Sequence, residues 1–151
     1  MFAAAVSWGS RTLADGQVRT TMTMPLWIAG YDVDVAGVVN NAVYVRWLED
    51  LRTVFMGRWL SFEDALGAGL APTLARIEVD YKAALRFGDE AAGTLWFRDV
   101  GRARGVIETE IRRTGDDRLC AHSLQTVCFV DMKSGRPVPI PAALAAAVGA
   151  R

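Results

Sequence analysis

Only one stretch of this chain has the period of a strong helix, and most of the chain beyond it alternates. Val43, Trp47, Leu51, Val54 and Phe55 recur at spacings of three and four, with Tyr44, Leu48 and Trp59 widening the apolar face. Asn40 or Asn41 is placed to cap this helix, and Arg46 with Asp50 and Glu49 with Arg52 fall where helical neighbours pair. Downstream, Ala75, Ile77, Val79, Tyr81, Ala83, Leu85 and Phe87 alternate with mostly charged residues, which predicts a long half-buried strand. Strands over 94–100, 106–113 and 119–131 follow. The last is apolar at both parities around 127–130, as in a central strand covered on both faces. Their separators, 101–105 and 115–117, have the Gly and Asp content of tight turns, so consecutive antiparallel pairing is expected. Val18, Thr20, Met22, Met24, Leu26 and Ile28 mark a first strand upstream, and a short helix is expected after Pro137, Pro139 and Pro141. One long helix and about five antiparallel strands predict an α+β domain, the helix lying on one face of a sheet curved round it.

Length sets the scale of the core. A chain of 151 residues is one ordinary domain, able to bury roughly 70% of the surface its unfolded form exposes. Residues 1–17 are expected to form a frayed leader and 18–151 the single domain. The apolar run at the start lacks a basic n-region, so it makes a poor signal peptide, and the Ala-rich 141–150 stretch is too short to span a membrane. Seventeen basic side chains balance seventeen acidic ones, which disfavours nucleic acid and membrane surfaces as partners. One histidine and two cysteines fall short of a Cys/His metal site. Cys120 and Cys128, eight steps along one strand, would stand about 26 Å apart, so no bridge between them is expected and the cytoplasm is the expected location.

The loop before the helix carries the most chemistry. Asp32 and Asp34 precede a helix whose first amides are unpaired and carry partial positive charge. A carboxylate attacks or deprotonates water, and amides at a helix amino terminus hold a developing oxyanion. The competing reading of any Asp-x-Asp is a plain pair of Asx-turns. No Gly-x-Ser-x-Gly occurs, the only histidine, His122, falls in a predicted strand, and no dinucleotide or P-loop glycine motif is present.

The run from Asp34 to Val39, with Tyr44, Arg46-Trp47-Leu48 and Arg52, resembles the signature of the 4-hydroxybenzoyl-CoA thioesterase-like group of hotdog-fold acyl-CoA thioesterases. Val39-Asn40-Asn41 is similar to acyl-ACP thioesterase-type members, and looser likeness extends through 85–89 and 131–141. The resemblance implies a hotdog fold, sheets paired between two subunits in a homodimer or homotetramer, and active sites at the subunit interface. By position it implies that Asp34 is the catalytic carboxylate, acting as nucleophile or as general base, and that the Asn41 amide polarises the thioester carbonyl. Asn40 and Tyr44 would line or brace that loop, and Gly37 and Val38 would contact substrate. Many relatives carry histidine where this chain has Val38. The implied reaction is hydrolysis of an acyl or aroyl thioester to free acid and CoA, with CoA as part of the substrate and no cofactor. An acyl-ACP thioesterase and a non-catalytic acyl-thioester or lipid-binding module are the alternatives. A thiolate leaves with a conjugate-acid pKa near 8.5, so one carboxylate and a helix end suffice.

Other candidates have plainer readings beside them. Arg102 and Arg104, in the turn at 101–105, suit CoA phosphates but equally suit solvent; Arg86 and Lys82 are weaker candidates. Glu49 is a possible helix base or half of a solvated salt bridge. Asp32 either acts on Asp34 by like-charge repulsion or serves the turn. His122 is expected in the core or at an interface.

Overall fold

The computed structural model describes residues 5–149. Seven strands form one antiparallel sheet, and three α-helices accompany it. In chain order these are β1 (Ser7–Thr12), β2 (Val18–Leu26), α1 (Asn41–Gly57), α2 (Phe62–Gly67), β3 (Leu70–Tyr81), β4 (Ala91–Val100), β5 (Arg104–Arg113), β6 (Arg118–Asp131), β7 (Pro137–Val138) and α3 (Ala142–Val148). The spatial order is β1-β2-β4-β5-β6-β3, with β7 attached to β6.

The expected helix is α1, and it buries the expected stripe. Val43, Tyr44, Trp47, Leu48, Leu51 and Phe55 all face the sheet. Gly93 in β4 permits the approach: a Cβ there would stand 2.6 Å from Leu51 Cδ1, whose side chain is fully buried. Gly93→Ala is therefore expected to overpack the core and cost about 1–3 kcal/mol, read as a lower urea midpoint with an unchanged slope.

The β4-β5-β6 meander follows the turn signals. Three expectations are corrected. The first concerns the leader: Ser7–Thr12 pairs residue for residue with β2, from Ser7 opposite Thr23 to Thr12 opposite Val18. Trp8 packs on Phe55 and Trp59 at 5.6 and 5.4 Å between centroids, so this part of the amino-terminal segment closes one end of the core. The strand left little trace in the sequence because it is an edge whose other side chains are exposed. Residues 1–4 lie outside the described residues.

The second correction is a shift of the long strand from 75–87 to Leu70–Tyr81. The ladder stops where the Lys82 and Ala83 amides both donate to the Cys120 carbonyl, at 2.8 and 3.2 Å. Leu85 continues the alternation because it plugs the core, not because it is paired. At the start, Pro72 is tolerated because β3 is an edge strand, paired only to β6. The third concerns β6, expected to be covered on both faces: Thr126, Cys128 and Val130 are half-buried on the face turned away from α1, so the strand is covered fully on one side only. His122 stands half-buried on that same face, with Nε2 2.8 Å from Glu108 Oε1, outside the core and on the face left open to an interface.

Candidate active site

A tight turn presents Asp34 to the start of α1. The Asp34 amide donates to Val38 O and the Gly37 amide to Asp34 O, both at 2.9 Å, while Val33 and Val39 bridge the base of the turn. Gly37 has φ +74°, a left-handed conformation that side chains with a Cβ rarely adopt. Asp34 Oδ1 accepts from the Ala36 amide at 2.8 Å. Its other oxygen has no hydrogen-bond partner among the described residues, and the side chain is exposed. The carboxylate is thus held by one oxygen and available through the other.

The helix supplies the donor. Asn40 is the cap, its Oδ1 accepting from the Ala42 amide at 2.9 Å, and its own amide donates to Asp32 O at 2.9 Å. The Asn41 amide, the first of the helix, has no acceptor among the described residues. A donor of this kind at the positive end of a helix suits a developing oxyanion.

Two contacts fix the Asn41 peptide from behind. Tyr81 Oη donates to Asn41 O at 3.1 Å, and the Tyr81 ring meets Tyr44 edge-on at 5.2 Å. Tyr44 is buried behind the loop, also packed edge-on against Trp47, so of its two expected roles it has the bracing one. Burial, with a smaller contribution from the nearby Cys120 thiol, pushes the Tyr44 phenol up to about 12. A raised value means the native state resists ionisation that the unfolded chain accepts near pH 10. The associated stability is present below that pH and is lost as pH rises through about 12. Urea midpoints between about pH 9 and 11.5 should therefore fall, and Tyr44→Phe should flatten the fall by up to roughly 2 kcal/mol.

Asp32 is part of the scaffold. Its side chain is 2% exposed; Oδ2 accepts from the Ala29 amide at 2.9 Å, and Oδ1 from Arg46 Nη2 at 2.7 Å. This overturns the expected Arg46–Asp50 pairing, because the guanidinium reaches back across the loop instead. It also leaves little for repulsion between Asp32 and Asp34, since the Arg46 cation neutralises the Asp32 charge at contact distance.

The remaining candidates divide. Val38 is half-buried within the turn, and Gly37 is at its exposed corner, where Arg86 Nη1 approaches its carbonyl at 3.5 Å. Arg86, ranked low in the sequence, is thus the cation beside the turn. Arg102 and Arg104 are exposed but sit at the far end of the sheet from Asn41, because β4 runs ten residues from the Ala91 end near the loop to the 101–105 turn. Within one subunit they do not join the Asp34 site. Glu49 pairs with Arg52, as expected, but Arg52 is buried and also donates to Gln125 Oε1, which in turn donates through Nε2 to Thr109 Oγ1. Burial lowers the Arg52 pKa. This polar row under the helix went unread, although position 52 lies one turn beyond Leu48 and so on the buried stripe. Tyr31 stands exposed within the loop, and exposed Phe87, the end of the 75–87 alternation, has its ring beside Gly30. Among the described residues no group of three or more His, Cys, Asp or Glu side chains is arranged to hold a metal ion. No described helix is long and apolar enough to cross a membrane.

Known proteins resemble this chain in sequence and in fold. The model of the thioesterase-like superfamily matches residues 29–148. The long-chain acyl-CoA thioesterase FadM of Escherichia coli is 23% identical over 119 residues, 79% of this chain and 90% of that protein. Among solved structures, a 1,4-dihydroxy-2-naphthoyl-CoA thioesterase from Synechocystis superposes with a TM-score of 0.79 at 20% identity, covering 85% of this chain and 96% of the other. A Staphylococcus aureus protein solved in complex with CoA gives 0.78 at 16% identity, covering 83% and 79%. The matched segment runs from just before the Asp32–Asp34 loop to the end of α3, and the wrapped helix is the hotdog fold of those structures. The chain belongs to the thioesterase-like superfamily.

Proposed function

We propose that this protein is an acyl-CoA thioesterase in which Asp34 and the Asn41 amide act on the two ends of one carbonyl addition. The observation that carries this reading is the pairing of a carboxylate oxygen with no internal partner and an unpaired helix amide on adjacent segments. Thioester hydrolysis is the activity that goes with the family. The thioester oxygen would accept from the Asn41 amide while its carbon is attacked. In one route Asp34 attacks, the C–S bond breaks, CoA leaves as thiolate, and water then hydrolyses the acyl anhydride. In the other, Asp34 takes a proton from water as that water attacks, and collapse of the adduct again expels thiolate. Both routes give free acid and CoA.

The same reading extends to assembly and location. Among the described residues β3 presents a twelve-residue unpaired edge, which a second copy would cover in a homodimer or in a homotetramer built from such dimers. Such pairing is antiparallel, so it brings the partner's 101–105 turn to the end of the sheet where this subunit's loop stands. That is where Arg102 and Arg104 would meet CoA phosphates. The two free thiols suit the cytoplasm.

Thiol release tests the reading. With Ellman's reagent and a panel of benzoyl, short, medium and long acyl-CoA esters, the protein should liberate CoA from at least one class. Ligand-dependent rise in melting temperature without any thiol release would instead identify a binding module.

A further inference from the structure

A cavity of about 450 Å³ lies between the end of β2, the 27–32 segment and one row of α1 formed by Arg46, Asp50 and Thr53. Neither Asp34, Asn40 nor Asn41 lines it, so it is distinct from the candidate active site, and its volume suits a small molecule. Its floor is apolar and closed, since Met24, Leu26 and Trp47 are all buried. Its rim is aromatic and open: Trp27 is 72% exposed and Tyr31 86%. Two large rings left in water beside a buried apolar floor offer faces to a ligand rather than to the core.

Charge decides which ligand fits. Asp32 and Arg46 neutralise each other at 2.7 Å, and the second Asp32 oxygen already accepts from the Ala29 amide. Asp50, exposed on the helix, has no hydrogen-bond or ion-pair partner among the described residues. Two carboxylates against one guanidinium therefore leave the lining with one net negative charge. An anion entering here would face Asp50 and compete with Asp32 for Arg46. A cation would meet an unpaired carboxylate and ring faces whose quadrupoles attract it. A hydrated metal ion or a bare ammonium would leave its hydrogen-bonding shell unmatched over the apolar floor, whereas a quaternary ammonium has no N–H groups to satisfy. We infer that this cavity binds a small organic cation with an apolar body, of the quaternary ammonium type, its head held by Asp50 with the Trp27 and Tyr31 rings and its apolar part over Trp47.

Benzyltrimethylammonium is the probe, titrated into the full chain by calorimetry at low salt, with benzyl alcohol and phenylacetate as its neutral and anionic counterparts. The cation should bind with a Kd below about 1 mM and at least tenfold more tightly than either counterpart. Trp27→Ala should weaken it at least fivefold and Asp50→Asn at least threefold, and added salt should weaken it further. Both side chains are exposed, so melting curves of the variants should match wild type. If Trp27→Ala proves unstable, Tyr31→Ala replaces it and should weaken the cation at least threefold. The readout is binding, so it does not depend on thioester hydrolysis. A Kd above about 10 mM, equal affinity for benzyl alcohol, tighter binding of phenylacetate, or affinity unchanged by the substitutions would overturn the inference. Self-association that Trp27→Ala abolishes would assign the aromatic rim to a contact between copies of this chain and would overturn it as well.

Discussion

Asp34→Asn is expected to lower kcat at least a hundredfold while leaving KM within about threefold. The substitution is close to isosteric and keeps an oxygen to accept from the Ala36 amide, so the turn that presents residue 34 survives. What it removes is the charge on the oxygen that has no internal partner. An amide neither attacks a thioester at a useful rate nor accepts a proton from water, so both routes fail together. The Asn41 amide is untouched, and carbonyl polarisation with substrate binding should leave a residual rate. The check is thiol release over the acyl-CoA panel, with a melting curve to show that the variant is folded. Turnover within tenfold of wild type would remove Asp34 from the chemistry and turn attention to Glu49, whose carboxylate is exposed on α1.

The legible parts of this molecule are those whose physics is periodic or local. The α1 stripe is repeated from Val43 to Phe55, over more than three turns, by large side chains, so helix and buried face could be read together. The cap at Asn40 and the β4-β5-β6 turns depend on a few adjacent residues, and they too were readable. What escaped depends on pairing between distant segments. β1 has one large inward side chain, Trp8, and its partner strand is set by the register with β2. The path of β3 to β6 rather than β4 follows from sheet closure, which no local signal specifies. The site divides in the same way. Asp34 and Asn41 are close in sequence and share one loop, whereas Tyr81 reaches Asn41 across forty residues and Gln125 meets Arg52 across seventy-three. Arg102 and Arg104 are candidates by their side-chain chemistry, which carries no information on position, and distance along the sheet separates them from the site within a subunit.

Asp32→Asn should show how strongly the loop depends on its buried anchor. Asp32 joins three segments: its carboxylate receives the Ala29 amide and Arg46, and its carbonyl receives the Asn40 amide that begins the cap. An asparagine side chain has one acceptor oxygen for two donors. Whichever donor keeps it, the new NH2 group faces the other in a site that is 2% exposed. A charge-assisted hydrogen bond is lost and a buried donor is left unmet, so a stability loss of about 2 kcal/mol is expected in urea unfolding. The kinetic effect should be larger than that figure implies, because residues 32 to 41 hold the carboxylate and the amide in mutual register. A displacement near 1 Å costs up to about a hundredfold in rate, so kcat should fall between tenfold and a hundredfold with little change in KM. Arg46→Lys keeps the charge but not the planar fork and should give a smaller loss of the same kind. If Asp32 worked by repelling Asp34, Asp32→Asn would instead move the acidic limb of the pH–rate profile and leave the plateau rate nearly intact. A lowered plateau over an unshifted profile identifies Asp32 as a positioning residue, whereas a folded variant with full kcat at every pH would show that the Asp32–Arg46 pair stabilises the loop without setting the geometry of the reaction.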